Sequence, residues 1–171
     1  MTPELARAES LIATIPDFPE AGIQFRDITP LFADGPALRT VVDAVITPFA
    51  GQFDVVAGVE ARGFLLAGAI ANAAGVGLIP IRKAGKLPRP AASITYDLEY
   101  GTDSLEAAQD LPAGTRVLLV DDILATGGTL RAGQQLLERL GYALVGTAVL
   151  MELVDLDGQQ VAGPVHTLFE V

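Results

Sequence analysis

Neither cysteine nor tryptophan occurs in the 171 residues. Without thiols the chain forms no disulfide and no thiolate metal site, which suits a reducing compartment, and residence in the cytoplasm is expected. Positive charge is also scarce: 11 lysines and arginines face 21 acids, for a net charge of -10 and a pI near 4.4. General affinity for nucleic acid is excluded on that balance, because it comes from many phosphate-neutralising cations. Long apolar runs are missing too. The stretch most like a membrane span, residues 63–81, is rich in glycine and alanine and contains Asn72 and Pro80, so no membrane association is expected. Residues 1–15 lack the basic start and apolar middle of a signal peptide, and no export is expected.

What remains is half hydrophobic, with a mean hydropathy of +0.43. Length and composition suit one α/β domain over residues 1–171. The few cations are unevenly placed. Both lysines, Lys83 and Lys86, lie with Arg82 and Arg89 in RKAGKLPR. An ordinary charge run is a solvated face, but a cluster in a chain that avoids positive charge elsewhere points to an anion site.

Along the chain, Thr2 can cap a helix whose apolar positions Leu5, Ala8, Leu11, Ile12 and Ile15 run until Pro16. The segment PDFPEAGIQFRDITP fits neither regular period and reads as a loop. A second helix opens at Asp34 or Gly35 and ends near Pro48. FDVVAGV, FLLAGAIANAAG and GLIPIR then read as strand, helix and strand, a unit of a mainly parallel sheet flanked by helices. Residues 93–105 alternate loosely around Gly101, as a hairpin or flap does. TRVLLVDD, LRAGQQLLERLG and ALVGTAVLMEL continue the pattern as strand, helix and strand.

The string VLLVDDILATGGT carries the most chemistry. A buried strand delivers Asp121 and Asp122 to the carboxyl edge of the sheet, where open α/β sheets bind ligands. Ala125, Thr126, Gly127, Gly128 and Thr129 follow as a loop at a helix N-terminus, where backbone amides, hydroxyls and the helix dipole suit a phosphate. Acids for hydroxyls beside amides for phosphate describe a grip on ribose 5-phosphate. A plain buried strand and turn accounts for the apolar run and the glycines but leaves the paired acids unexplained. A receiver domain wants a lysine late in the chain, and none follows Lys86; a Walker-type loop wants Gly-Lys-Ser/Thr, which is missing.

This string resembles the phosphoribosyl pyrophosphate motif of the type I phosphoribosyltransferases, and the likeness extends over residues 14–151. It implies that family's fold: a central, mainly parallel sheet, a small N-terminal hood here spanning residues 1–34, and a flexible catalytic loop at 82–106. GVEARGF is similar to its pyrophosphate loop, which implies amide donors at Glu60 and Ala61 and a pyrophosphate contact at Arg62, with a part in catalysis. RKAGKLP resembles the basic segment of the adenine branch, implying pyrophosphate ligands at Arg82, Lys83 and Lys86. YDLEYGTDSLE is similar to the catalytic loop, with Glu99 at the catalytic position beside Tyr100. FPEAGIQFRDITP resembles the adenine-binding loop, in which Phe25 stacks on the base while the backbone around Gln24 and Arg26 meets its polar edge; Ile123 covers the other face.

The hypoxanthine and guanine branch carries an aspartate where this chain has Ala125, which favours adenine. The resemblance thus implies transfer of phosphoribosyl from phosphoribosyl pyrophosphate to N9 of adenine, giving AMP and pyrophosphate. It implies Mg²⁺ carried by phosphoribosyl pyrophosphate rather than held directly by the protein, and a homodimer. Transfer to xanthine or hypoxanthine stays open as an alternative, as does a regulator that binds the sugar phosphate without reacting it. The departures are AAQD after SLE, where the family more often has a basic residue, and Ala84, where it often has proline or arginine. His166, the only histidine, lies in a terminal strand and is read as structural.

Overall fold

The computed structural model describes residues 1–97 and 101–171. The chain forms two compact units, Met1–Ala44 and Val45–Val171.

In the first unit, helix α1 (Pro3–Ser10) starts as its residues dictate. Thr2 accepts the Leu5 amide on its hydroxyl at 3.3 Å, and Pro3 occupies the first turn. The helix does not run on to Ile15. Strand β1 (Ala13–Pro16) pairs antiparallel with β2 (Gln24–Asp27), Ile15 lying opposite Phe25. Thr14 and Ile15 are β-branched and favour the extended pairing, and helical spacing over so few residues cannot separate the two outcomes. The expected irregular loop is therefore half hairpin. Its turn is held by the Gly22 amide donating to Asp17 Oδ1 at 2.7 Å. Short helix α2 (Thr29–Ala33), which the sequence did not announce, precedes α3 (Gly35–Ile46).

The second unit is built on seven strands: β3 (Val55–Val59), β4 (Gly77–Lys83), β5 (Ala92–Asp97), β6 (Thr102–Ala107), β7 (Arg116–Leu124), β8 (Ala143–Glu152) and β9 (His166–Glu170). Their order is β5-β6-β4-β3-β7-β8-β9. Strands β4, β3, β7, β8 and β9 run parallel, and the β5–β6 hairpin adds antiparallel to the β4 edge. Helices α4 (Arg62–Ala74), α5 (Gly128–Arg139) and α6 (Gly158–Ala162) connect them. Residues Val117 to Val120 are fully buried, as a strand covered on both faces requires.

Helix α4 lies close on β3 because small residues meet there. A methyl at Gly58 would come within 2.7 Å of the Ala67 Cβ. From β3 the chain crosses through α4 to β4 on one side, while β7 takes the other side. The crevice at this reversal opens beyond the carboxyl ends of β3 and β7, the usual place for a ligand in an open α/β sheet.

Candidate active site

Strand β7 carries Asp121 and Asp122 just past its last residue paired with β3, Val120. Both side chains are buried, 7 % and 5 % exposed. The Asp122 amide donates to Asp121 Oδ1 at 2.8 Å, and Arg62 Nη2, from the start of α4, lies 2.7 Å from Asp122 Oδ2. Burial holds the Asp121 carboxyl well above the usual carboxylate range, and the charge of Asp122 adds to the shift. Burial also raises Asp122, against the pull of Arg62. Gly63 makes this packing possible, since a methyl there would meet Asp121 Oδ1 at 2.6 Å. Sequence reasoning passed over Gly63; the signal was a glycine following the arginine at a helix start.

Residues Ala125 to Thr129 turn from β7 into α5. Gly127 has φ +85°, and no side chain caps the helix, so its first amides face outward from an open N-terminus. A cavity of about 120 Å³ is lined by Asp121, Ile123, Ala125, Thr126, Gly127 and Thr129. The Thr129 hydroxyl donates to the Tyr96 hydroxyl at 3.4 Å, bringing β5 to the loop.

A larger cavity of about 490 Å³ adjoins it, sharing Asp121 and Thr129 and lined also by Glu60, Ala61, Arg62, Lys83, Lys86 and Asp122. The Glu60–Ala61 peptide at its wall is cis. The Glu60 side chain, 6 % exposed, gathers the basic segment around it. It accepts the Lys83 amide at 2.8 Å, pairs with Lys86 Nζ, and lies 3.4 Å from Arg82 Nε. Burial opposes its ionisation, yet these hydrogen bonds and charges hold its carboxyl below the usual value. Arg82 does not line the cavity; its guanidinium turns to Glu60 and to the Lys86 carbonyl at 3.1 Å. Lys83 Nζ pairs with Asp103 Oδ2 at 2.7 Å, which raises the lysine and lowers the acid. Tyr96 and Asp103 were legible only as members of an alternating hairpin.

Of the remaining sequence-predicted residues, Gln24, Phe25 and Arg26 form β2 in the first unit. There the Phe18 ring meets Phe25 edge-on at 5.1 Å, and Arg26 donates to the Thr14 hydroxyl. Glu99 and Tyr100 lie outside the described residues. His166 packs its ring on Phe49 at 5.9 Å and sits two strands away from the aspartate pair, with Nε2 buried and unbonded among the described residues. No group of three or more His, Cys, Asp or Glu side chains among those residues could hold a metal ion, and no helix among them is long and apolar enough to cross a membrane.

Residues 38–165 match the family described as the phosphoribosyl transferase domain. An adenine phosphoribosyltransferase of Renibacterium salmoninarum is 60% identical over 153 residues, covering 89% of this chain and 84% of that one. The chain belongs to the adenine phosphoribosyltransferase family. The fold agrees throughout. A crystal structure of the adenine phosphoribosyltransferase of Rhodothermus marinus superposes with a TM-score of 0.92 at 44% identity, covering 98% of each chain. That of Saccharomyces cerevisiae, crystallised with adenine and an imino-altritol bisphosphate, gives 0.91 at 38% identity, covering 96% of this chain and 98% of the yeast chain.

Proposed function

We propose that the protein is an adenine phosphoribosyltransferase of purine salvage, moving the 5-phosphoribosyl group of phosphoribosyl pyrophosphate to N9 of adenine and releasing pyrophosphate and AMP. The observation that carries the reading is the meeting, at one strand edge, of two buried carboxylates, an arginine and an open helix N-terminus. The loop 125–129 binds the 5-phosphate through amides and threonine hydroxyls. Asp121 and Asp122 take the ribose hydroxyls. Arg62, Lys83 and Lys86 face the same cavity and take the pyrophosphate, with Ala61 supplying a backbone donor and Arg82 holding the segment from behind; the Glu60 amide, expected from the sequence to join it, donates instead to the Ile81 carbonyl at 3.0 Å.

In the reaction the N9–C1′ bond forms as the C1′–oxygen bond breaks. The electron pair of that bond leaves with pyrophosphate, and the N9 proton is lost. Arg62 and the two lysines stabilise the departing anion, while the aspartates favour a ribosyl centre that gains positive charge. The buried acidic pair suits the neighbourhood of a Mg²⁺ that phosphoribosyl pyrophosphate would carry, the aspartates themselves holding the ribose hydroxyls. The chemistry that bound Mg²⁺ would supply is neutralisation of charge on the leaving pyrophosphate. In the first unit Phe25 is assigned to adenine by the resemblance of its loop, and the extended backbone at Gln24 and Arg26 carries amide and carbonyl groups suited to a purine edge. The part proposed for Glu99, help with a base proton, rests on the LEYG resemblance.

Residence in the cytoplasm and assembly as a homodimer belong to the same proposal. Sedimentation giving twice the 17.8 kDa chain mass tests the second. Pyrophosphate release tests the reaction. Asp122→Asn lowers kcat by about 100-fold or more with the fold intact, and near-normal turnover would remove the ribose role. Glu99→Leu lowers kcat while leaving the Kd of phosphoribosyl pyrophosphate unchanged; an unchanged rate would remove Glu99 from the mechanism.

A further inference from the structure

The back of the phosphate loop is pressed against α6. A methyl at Gly158 would overlap the Ala125 carbonyl oxygen and come within 2.6 Å of Leu124 Cδ1. From the other side, a methyl at Gly127 would overlap the Gly158 carbonyl and reach the Ala162 amide at 3.1 Å. Two backbones therefore touch with no side chain between them, which leaves the loop no room to move away from the cavity. Helix α6 is itself tied down. The buried Gln134 amide, from α5, donates to the Ala162 carbonyl at 2.8 Å and to the Thr147 hydroxyl of β8 at 3.1 Å. One side chain thus links the helix whose N-terminus faces the loop, the short helix behind it and the neighbouring strand.

We infer that Gly158 and Gln134 are positioning residues for the 5-phosphate: they fix the backbone of residues 125–128, through α6, in the shape that receives the anion. Neither lines either cavity of the site. The inference rests on the proposed phosphate role of the loop. Backbone amides bind an anion only when aimed at it, and a displacement of about 1 Å can cost up to about 100-fold. A carbonyl pushed forward by a methyl at 158 turns the loop toward the cavity and misaims those amides.

The test measures AMP binding by calorimetry, then KM and kcat, on the full chain. Gly158→Ala weakens AMP and raises the KM for phosphoribosyl pyrophosphate by about tenfold or more, while the KM for adenine stays within about twofold. Gln134→Met keeps the volume and removes the two hydrogen bonds, so it serves if the first variant does not fold; the same KM shift is expected. Loss of melting temperature or kcat with both KM values and AMP affinity unchanged would mean packing alone and overturn the inference. Failure of the wild-type protein to bind AMP would instead overturn the phosphate-site reading on which it rests.

Discussion

Burial of Asp121 beside Asp122 means that the native state holds a proton at pH values where an ordinary, solvent-exposed aspartate has lost it. Between the ordinary carboxylate value and the raised one, the native state binds more protons than the unfolded chain, so this group makes stability fall as pH rises through that window. Asp121→Asn removes the ionisable group yet keeps the oxygen that accepts the Asp122 amide. Thermal unfolding at pH 7 is expected to shift up by about 2–4 °C, about 1 kcal/mol for a chain of this size, while pyrophosphate release falls by about 100-fold or more. A lower melting temperature at pH 7 would mean that the carboxyl stabilises the fold. The pair was legible in the sequence because acids seldom end an apolar strand without a task. Arg62 was reached only through the resemblance of GVEARGF to a pyrophosphate loop, and its pairing with Asp122 was not legible. Glu60 was read for its backbone alone, and its buried carboxylate at the centre of the basic segment was not, because a linear string does not reveal that residue 60 faces residues 82, 83 and 86.

At the scale of elements, α5 presents its N-terminus to the cavity and its apolar side to the sheet. Leu136 and Leu137 are fully buried, and Gly133 lies so close that a methyl would meet Leu119 Cδ2 at 3.3 Å. Leu136→Ala empties space two turns from the phosphate loop. It is expected to cost about 3 kcal/mol in urea unfolding, with the KM for both substrates unchanged. A tenfold rise in KM without loss of stability would contradict the separation of core from site drawn here. The strand, helix, strand rhythm of the second unit followed from apolar runs long enough to be unambiguous. The N-terminal hairpin did not. Leu11, Ile12 and Ile15 satisfy a helical period as well as a strand, and the pairing of Ile15 with Phe25 across ten residues decides the matter in three dimensions. Helices α2 and α6 are five residues each, too short to leave a period.

For the whole molecule, an acidic chain with net charge -10 places both its lysines and Arg62 at one crevice, with Arg82 behind them. That placement suits an enzyme whose sugar-phosphate substrate and whose products are anions. It fixes the transferase more firmly than the base, since purine choice turns on backbone groups and on the missing acid at Ala125. A site that hydrogen-bonds one purine rejects another that leaves its buried groups unpaired. The most direct measurement is therefore kcat/KM for pyrophosphate release with adenine, hypoxanthine, guanine and xanthine in turn, each with saturating phosphoribosyl pyrophosphate and Mg²⁺. Adenine is expected to lead the others by about 1,000-fold or more. A value for hypoxanthine equal to or above that for adenine, or no pyrophosphate released with any base, would contradict the account.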